Sequence, residues 1–152
     1  MTIAPIVKAV SVGVSQKRAF DMFVERIGEW WPKEFSIGQQ PIAQVIIEPR
    51  AGGRWFERSA DGAETDWGKV LEWSPPGRLL LAWQISDAWK FDPSLITEVE
   101  MRFIARGEMQ TEVILEHRNL ERYGAAAKAH AKQLDGGWPG VLGAYAALAG
   151  AA

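Results

Sequence analysis

The stretch "VLEWSPPGRLLLAWQI", Val70 to Ile85, sets two apolar arms on either side of a Pro-Pro-Gly-Arg turn, and each arm carries a tryptophan, Trp73 and Trp83. Short runs of β-formers closed by turn chemistry read as strands joined by hairpin-length links. The same pattern extends outward on both sides. "IAQVIIEP" (42–49), "GRWFERS" (53–59) and "DWGKVLEW" (66–73) precede or include the first arm; "LLLAWQIS" (79–86), "ITEVEMRFIA" (96–105) and "TEVILEHR" (111–118) include or follow the second. Gly52-Gly53, Asp61-Gly62, Asp92-Pro93 and Gly107 supply the remaining turns. With a Val- and Ile-rich segment between Ile3 and Val14 the count is about seven strands, and the short links favour an antiparallel meander over parallel βαβ units.

Alternation gives the facing of the last two strands. Thr97, Val99, Met101 and Phe103 share one face, and Thr111, Val113, Leu115 and His117 share the matching face of the next strand. Glu98, Glu100, Arg102, Glu112, Glu116 and Arg118 lie on the other, so one side of the sheet is dry and one is wet. Helices bracket the sheet. Ser15 is placed to cap "QKRAFDMFVERI", whose Ala19, Phe20, Phe23, Val24 and Ile27 recur at helical spacing, and Gly28 is expected to stop that helix before the irregular connection "EWWPKEF". From about Leu120 to Ala149 the chain is rich in helix formers, and Ala127, His130, Leu134, Val141, Leu142, Tyr145, Leu148 and Ala149 form an inward stripe. Gly136-Gly137 and Pro139 are expected to break or kink this long helix near Trp138.

Composition excludes several classes. The chain has 152 residues, enough for one domain spanning 1–152, 47% of them hydrophobic and 24% charged, with a net charge of −2. Basic residues are scattered, so no nucleic-acid partner is expected. There is no cysteine, hence no disulfide or thiolate metal site, and no uninterrupted apolar run of membrane-spanning length; the expected location is the cytoplasm, without membrane association. Glycine-rich phosphate loops, Gly-x-Ser-x-Gly and His-Glu-x-x-His are missing, and two histidines do not support a zinc site, so no catalytic residue, metal or cofactor is expected.

The eight tryptophans are the unusual feature. Read singly, each is a core filler; read together, an excess of large apolar side chains with one N–H donor favours a cavity lined by indole. Glu57 shares a strand face with Trp55, which makes it either an inward, hydrogen-bonded carboxyl group or a solvated one at the sheet rim. His117 continues the inward row of Val113 and Leu115, at a cavity mouth or in a structural role, and His130 on the helix has the same two readings.

The order of strand, short helices, six-stranded meander and long helix resembles the helix-grip fold of the START-like, SRPBCC superfamily. The segments "SQKRAFDMFVE" (15–25), "WWP" (30–32), "EPRAGGRWFER" (48–58), "DWGKVLEWSPPGRLLLAWQI" (66–85), "TEVEMRF" (97–103), "TEVILEHRNLER" (111–122) and "GGWPGVL" (136–142) are similar to its branch named after the activator of heat-shock protein 90 ATPase. The resemblance implies an α+β fold: a seven-stranded antiparallel curved sheet wrapped on a long C-terminal helix, with a hydrophobic cavity between them. Its implied function is binding of an apolar or aromatic small molecule, with Trp55, Glu57, Trp67, Trp83, Trp89, Met101, Phe103, His117 and Trp138 as the expected contacts. Two alternatives are a cyclase- or hydrolase-like enzyme using Glu57 or His117 as general acid or base, and a chaperone-associated or homodimeric interaction module with Trp30 and Trp31 as exposed anchors.

Overall fold

The hairpin read from Val70–Ile85 forms as β4 (Glu64–Ser74) and β5 (Arg78–Trp83), with Ser74 opposite Arg78 across the Pro75-Pro76-Gly77 turn. The computed structural model of the chain describes residues 2–38 and 40–151. Around that hairpin lie β1 (Ile6–Val12), α1 (Gln16–Glu25), α2 (Ile27–Trp30), β2 (Ile42–Ile47), β3 (Arg54–Ser59), β6 (Thr97–Gly107), β7 (Gln110–Arg118), a 3₁₀ segment (Leu120–Ala126) and α3 (Ala127–Ala151). The sheet is entirely antiparallel in the order β1-β7-β6-β5-β4-β3-β2, the expected meander with β1 added beside β7.

Curvature comes from irregular pairing. Register shifts interrupt β2–β3, β3–β4, β4–β5 and β6–β7, and such bulges bend a strand and increase its twist. One of them decides the interior. Trp55 pairs with Gly68 and Phe56 with Asp66, leaving Trp67 as the extra residue of a bulge. Gly68 in turn faces Trp83, and a Cβ at Gly68 would lie 1.7 Å from the Ala82 carbonyl oxygen, so no other residue fits there. Trp55, Trp67 and Trp83 are thereby crowded onto the concave face. On the convex face, Phe56 is buried under the Arg54 guanidinium, 3.9 Å from the ring centroid, and ion pairs link Arg78 with Glu72 and Glu100 and Arg118 with Glu98 and Glu116.

The concave face is covered from two sides. Ser15 caps α1 by accepting the Arg18 N–H at 3.2 Å, and Phe20 and Phe23 of α1 pack edge-on against Phe103 at 5.1 and 5.8 Å. The Tyr145 hydroxyl of α3 donates to the Ala19 carbonyl at 2.7 Å, tying the two helices together. The rings of this half pack against one another, and a second pocket of about 300 Å³ opens at its edge between α1, β2 and Trp73.

Three local expectations are corrected. Gly28 does not end the helical region: it lies inside α2, where a Cβ would come within 3.3 Å of the Val45 backbone, so its absence lets α2 cover the edge of β2. Trp30 and Trp31 are 4% and 5% exposed, and their burial removes them as exposed anchors for a protein partner. The long helix starts at Ala127 rather than near Leu120, because Gly124 at φ 67° breaks the 3₁₀ segment before it, and α3 then runs through Gly136, Gly137 and Pro139 without interruption. Packing of Leu134, Trp138, Leu142 and Tyr145 on the sheet outweighs the poor helix propensity of "GGWPG". Gly136 is exposed, and nothing lies within 4 Å of the position a methyl group would take there. Gly136→Ala is therefore expected to stabilise the protein by about 0.5–1 kcal/mol in urea unfolding; destabilisation would show that the helix is not regular there.

Candidate functional site

At the other end of the concave face the interior is open. A pocket of about 330 Å³ lies between β4, β5, the segment 31–37 that follows α2, and α3. Its buried wall is built from Trp31, Trp67, Trp83, Leu134, Trp138 and Val141; its rim includes Glu34, Phe35, Trp89 and Gln133, all exposed. Four of the indoles close a ring: Trp31 to Trp67 at 4.8 Å, Trp67 to Trp83 at 6.4 Å, Trp83 to Trp138 at 5.4 Å and Trp138 back to Trp31 at 6.2 Å between centroids. The tilted and edge-on angles, 50° to 86°, are the favoured arrangements for aromatic pairs.

Polar groups behind the wall hold three of these rings. Trp31 donates its N–H to the Phe35 carbonyl at 3.1 Å, which folds the 31–35 segment over the pocket. The Glu57 carboxyl, 1% exposed, accepts on Oε1 both the Trp67 Nε1–H at 2.9 Å and the Ile37 backbone N–H at 2.6 Å, joining β3, β4 and the pocket segment through one atom. His117, fully buried, accepts the Trp138 Nε1–H on Nδ1 at 3.1 Å. Because indole is only a donor, that bond assigns the proton to Nε2, which donates to Thr97 Oγ1 at 2.8 Å, and Thr97 passes its own hydroxyl proton to the Trp83 carbonyl at 2.9 Å. The chain Trp138–His117–Thr97–Trp83 thus links α3 to β5. The Trp83 Nε1–H is buried without a hydrogen-bond partner, and the Tyr123 hydroxyl donates to the Ile85 carbonyl at 2.7 Å.

Burial governs the titration of these groups. Loss of hydration, with a smaller contribution from the charge of His130, pushes His117 down to about 3, so it is neutral at physiological pH. Burial raises Tyr123 to about 12. His130 is lowered by the same cause; it is clasped between Trp89 and Tyr123, at 4.8 and 4.5 Å between centroids. Trp89 itself stands at φ 58°, a left-handed conformation that disfavours a bulky residue, and yet it is 42% exposed at the pocket rim.

Of the nine residues singled out from the sequence, Trp67, Trp83, Trp89 and Trp138 line the pocket. Trp55 sits beneath, 5.5 Å from both Trp67 and Trp83. His117 faces inward, as its strand row implied, and Glu57 takes the inward of its two readings, but both lie behind the indoles they bond, outside the lining. Met101 and Phe103 are buried on the same sheet face but outside the pocket, in the half covered by α1, where Phe20 and Phe23 pack beside Phe103. Sequence reasoning missed Trp31, the 34–37 segment, Gln133 and Gly137. A signal for the last existed in the helix spacing: 134, 137, 138 and 141 are i, i+3, i+4 and i+7. Among the described residues no group of three or more His, Asp or Glu side chains is arranged to hold a metal ion, and no helix is long and apolar enough to cross a membrane.

Comparison with known proteins places this architecture. Among solved structures, the chain is similar to "an anthrahydroquino-Gama-pyrone synthase Txn09 complexed with SUM", at 36% identity and a TM-score of 0.67 over 95% of this chain and 96% of that one. It is also similar to the self-sacrificing resistance protein CalC from Micromonospora echinospora, at 28% identity and a TM-score of 0.70 over 93% and 90%. The Aha1 dimer from Colwellia psychrerythraea, at 14% identity and a TM-score of 0.65 over 97% of each chain, shares the fold. Comparison with curated proteins finds no match. The family model of the Activator of Hsp90 ATPase homolog 1-like proteins matches residues 14–150, and with the seven-stranded helix-grip architecture around the pocket this chain belongs to that family, within the SRPBCC fold.

Proposed function

We propose that the protein binds a flat, apolar aromatic small molecule between the sheet and α3. The observation that carries this reading is the closed ring of four indoles, with Trp89 beside it at the rim: aromatic faces and edges select planar π-systems. A volume of about 330 Å³ is at the low end of the roughly 300–1,000 Å³ of ligand sites, suited to one compact ring system. The synthase at 36% identity is named for a fused anthrahydroquinone–pyrone, which supports the same ligand class.

Binding is favoured over catalysis because among the described residues no proton-exchanging group lies in the buried wall of the pocket. Glu57 and His117 are engaged behind the wall, and the one lining carboxyl, Glu34, stands exposed at the rim. The enzyme reading draws on the synthase relative and would have to use Glu34 as acid or base. Titration of the intrinsic tryptophan fluorescence with anthraquinone monosulfonate tests the binding reading. Saturable, one-to-one quenching is expected, weakened about tenfold or more by Trp138→Ala, which removes one side of the ring. Quenching that rises linearly without saturation, or that ignores Trp138→Ala, would contradict it.

A further inference from the structure

The glycines of this chain divide by physical cause. Gly52, Gly62 and Gly124 have positive φ, and Gly28, Gly38, Gly53 and Gly68 are pressed against other atoms so that a Cβ would have to displace them. Gly137 has neither reason. Its backbone is helical, and apart from its chain neighbours and its own helix backbone nothing lies within 4 Å of the position a Cβ would take. The other helical glycines with equally open surroundings, Gly136, Gly143 and Gly150, are exposed on α3, where space is free because solvent occupies it. Gly137 instead is half-buried and lines the pocket, in the middle of the row Leu134, Trp138 and Val141 that α3 presents to it. A helix interior disfavours glycine more than any residue except proline, so local stability is given up at the point where the helix borders the cavity. The gap that results is bounded by the indole ring on one side and bare helix backbone on the other, the arrangement that allows a ligand to approach a main chain closely.

We propose that Gly137 is the size-determining residue of the pocket: the space left by its missing side chain takes the edge of a fused planar system of three or more rings, lying directly against the α3 backbone. This rests on the aromatic-ligand reading above and goes beyond it by naming the ring count admitted and the residue that sets it. Any side chain at this position would narrow the slot while leaving the indole ring in place, so selectivity shifts toward smaller ring systems.

The test compares the full chain with Gly137→Ala and Gly137→Leu, using two probes: anthraquinone monosulfonate, with three fused rings, and naphthalene monosulfonate, with two. Gly137→Ala is expected to raise Tm by about 2–4 °C through helix propensity while weakening the three-ring probe severalfold. Gly137→Leu is expected to weaken the three-ring probe about tenfold or more and to leave the two-ring probe within about threefold. Equal affinities of wild type and the Leu variant for the three-ring probe, or equal losses for both probes, would overturn the proposal. If Gly137→Leu does not fold, as judged by circular dichroism, the Ala variant decides: a higher Tm with weaker three-ring binding supports the proposal, and unchanged affinity overturns it. Wild-type protein that binds only the two-ring probe overturns the size assignment and leaves aromatic binding standing; wild-type protein that binds neither removes both.

Discussion

Glu57→Ala is expected to destabilise the protein by about 3–5 kcal/mol, the largest effect of any single substitution outside the apolar core. One carboxyl oxygen accepts two donors, the buried Trp67 indole N–H and the part-buried Ile37 backbone N–H. Truncation leaves both without a partner: the buried indole N–H costs about 1–3 kcal/mol, the half-buried backbone N–H less, and the lost packing of the buried side chain is added. The pair belongs to different elements, so the damage is not local: Trp67 forms one side of the indole ring and Ile37 lies in the segment over the pocket. Glu57→Gln keeps the shape and one acceptor oxygen and is expected to cost only about 1–2 kcal/mol. Urea unfolding of the three proteins with unchanged m-values measures both quantities. A loss under about 1 kcal/mol for Glu57→Ala would mean that the two N–H groups find other acceptors and that Glu57 does not hold the wall.

Acid is expected to weaken the protein through His117. Its folded pKa, about 3, lies below the value of about 6.5 that it recovers on unfolding. Between those values the unfolded chain takes up a proton that the folded chain refuses, so stability is full above the unfolded pKa and falls as pH drops toward the folded one. Each unit is worth about 1.4 kcal/mol, which makes the contribution between pH 7 and pH 4 on the order of 3 kcal/mol. His130, also lowered by burial, adds in the same direction. His117→Asn separates the two: its amide oxygen can still accept the Trp138 N–H, but it cannot titrate. The variant is expected to lose about 1–2 kcal/mol at pH 7 with the Thr97 bond, and to show a shallower decline from pH 7 to pH 4 than wild type. Parallel pH profiles would show that His117 is hydrated or protonated in the folded protein.

The strands, their antiparallel order and the dry face of β6 and β7 were legible because period-two alternation and turn residues are local signals, and local signals agree with the fold here. His117 could be read as inward from strand parity, whereas parity tied Glu57 only to the side of Trp55 and left inward and rim positions both open. Their partners could not be read, because Trp67 turns inward through a bulge opposite Trp55, and a register shift is a property of two strands rather than one. Gly68 was the available hint, as an isolated glycine in a strand often marks such a site. Met101 and Phe103 show the converse limit: parity places them on the pocket face, but only the docking of α1 determines that their half is covered. Trp31 and the 34–37 segment escaped notice because an irregular connection has no period to read. In "GGWPG", propensity pointed to a break that packing overrides.

The distribution of indoles also supplies the most direct measurement. Each of the eight tryptophans carries an Nε1–H that gives its own proton–nitrogen correlation in NMR. On addition of anthraquinone monosulfonate, saturable shifts are expected for Trp31, Trp67, Trp83, Trp89 and Trp138, which line the pocket, with little change at Trp73, which packs on Phe20 at the separate hollow beside α1. Spectra that stay unchanged at saturating probe, or in which Trp73 moves most, would contradict an aromatic-binding pocket under α3.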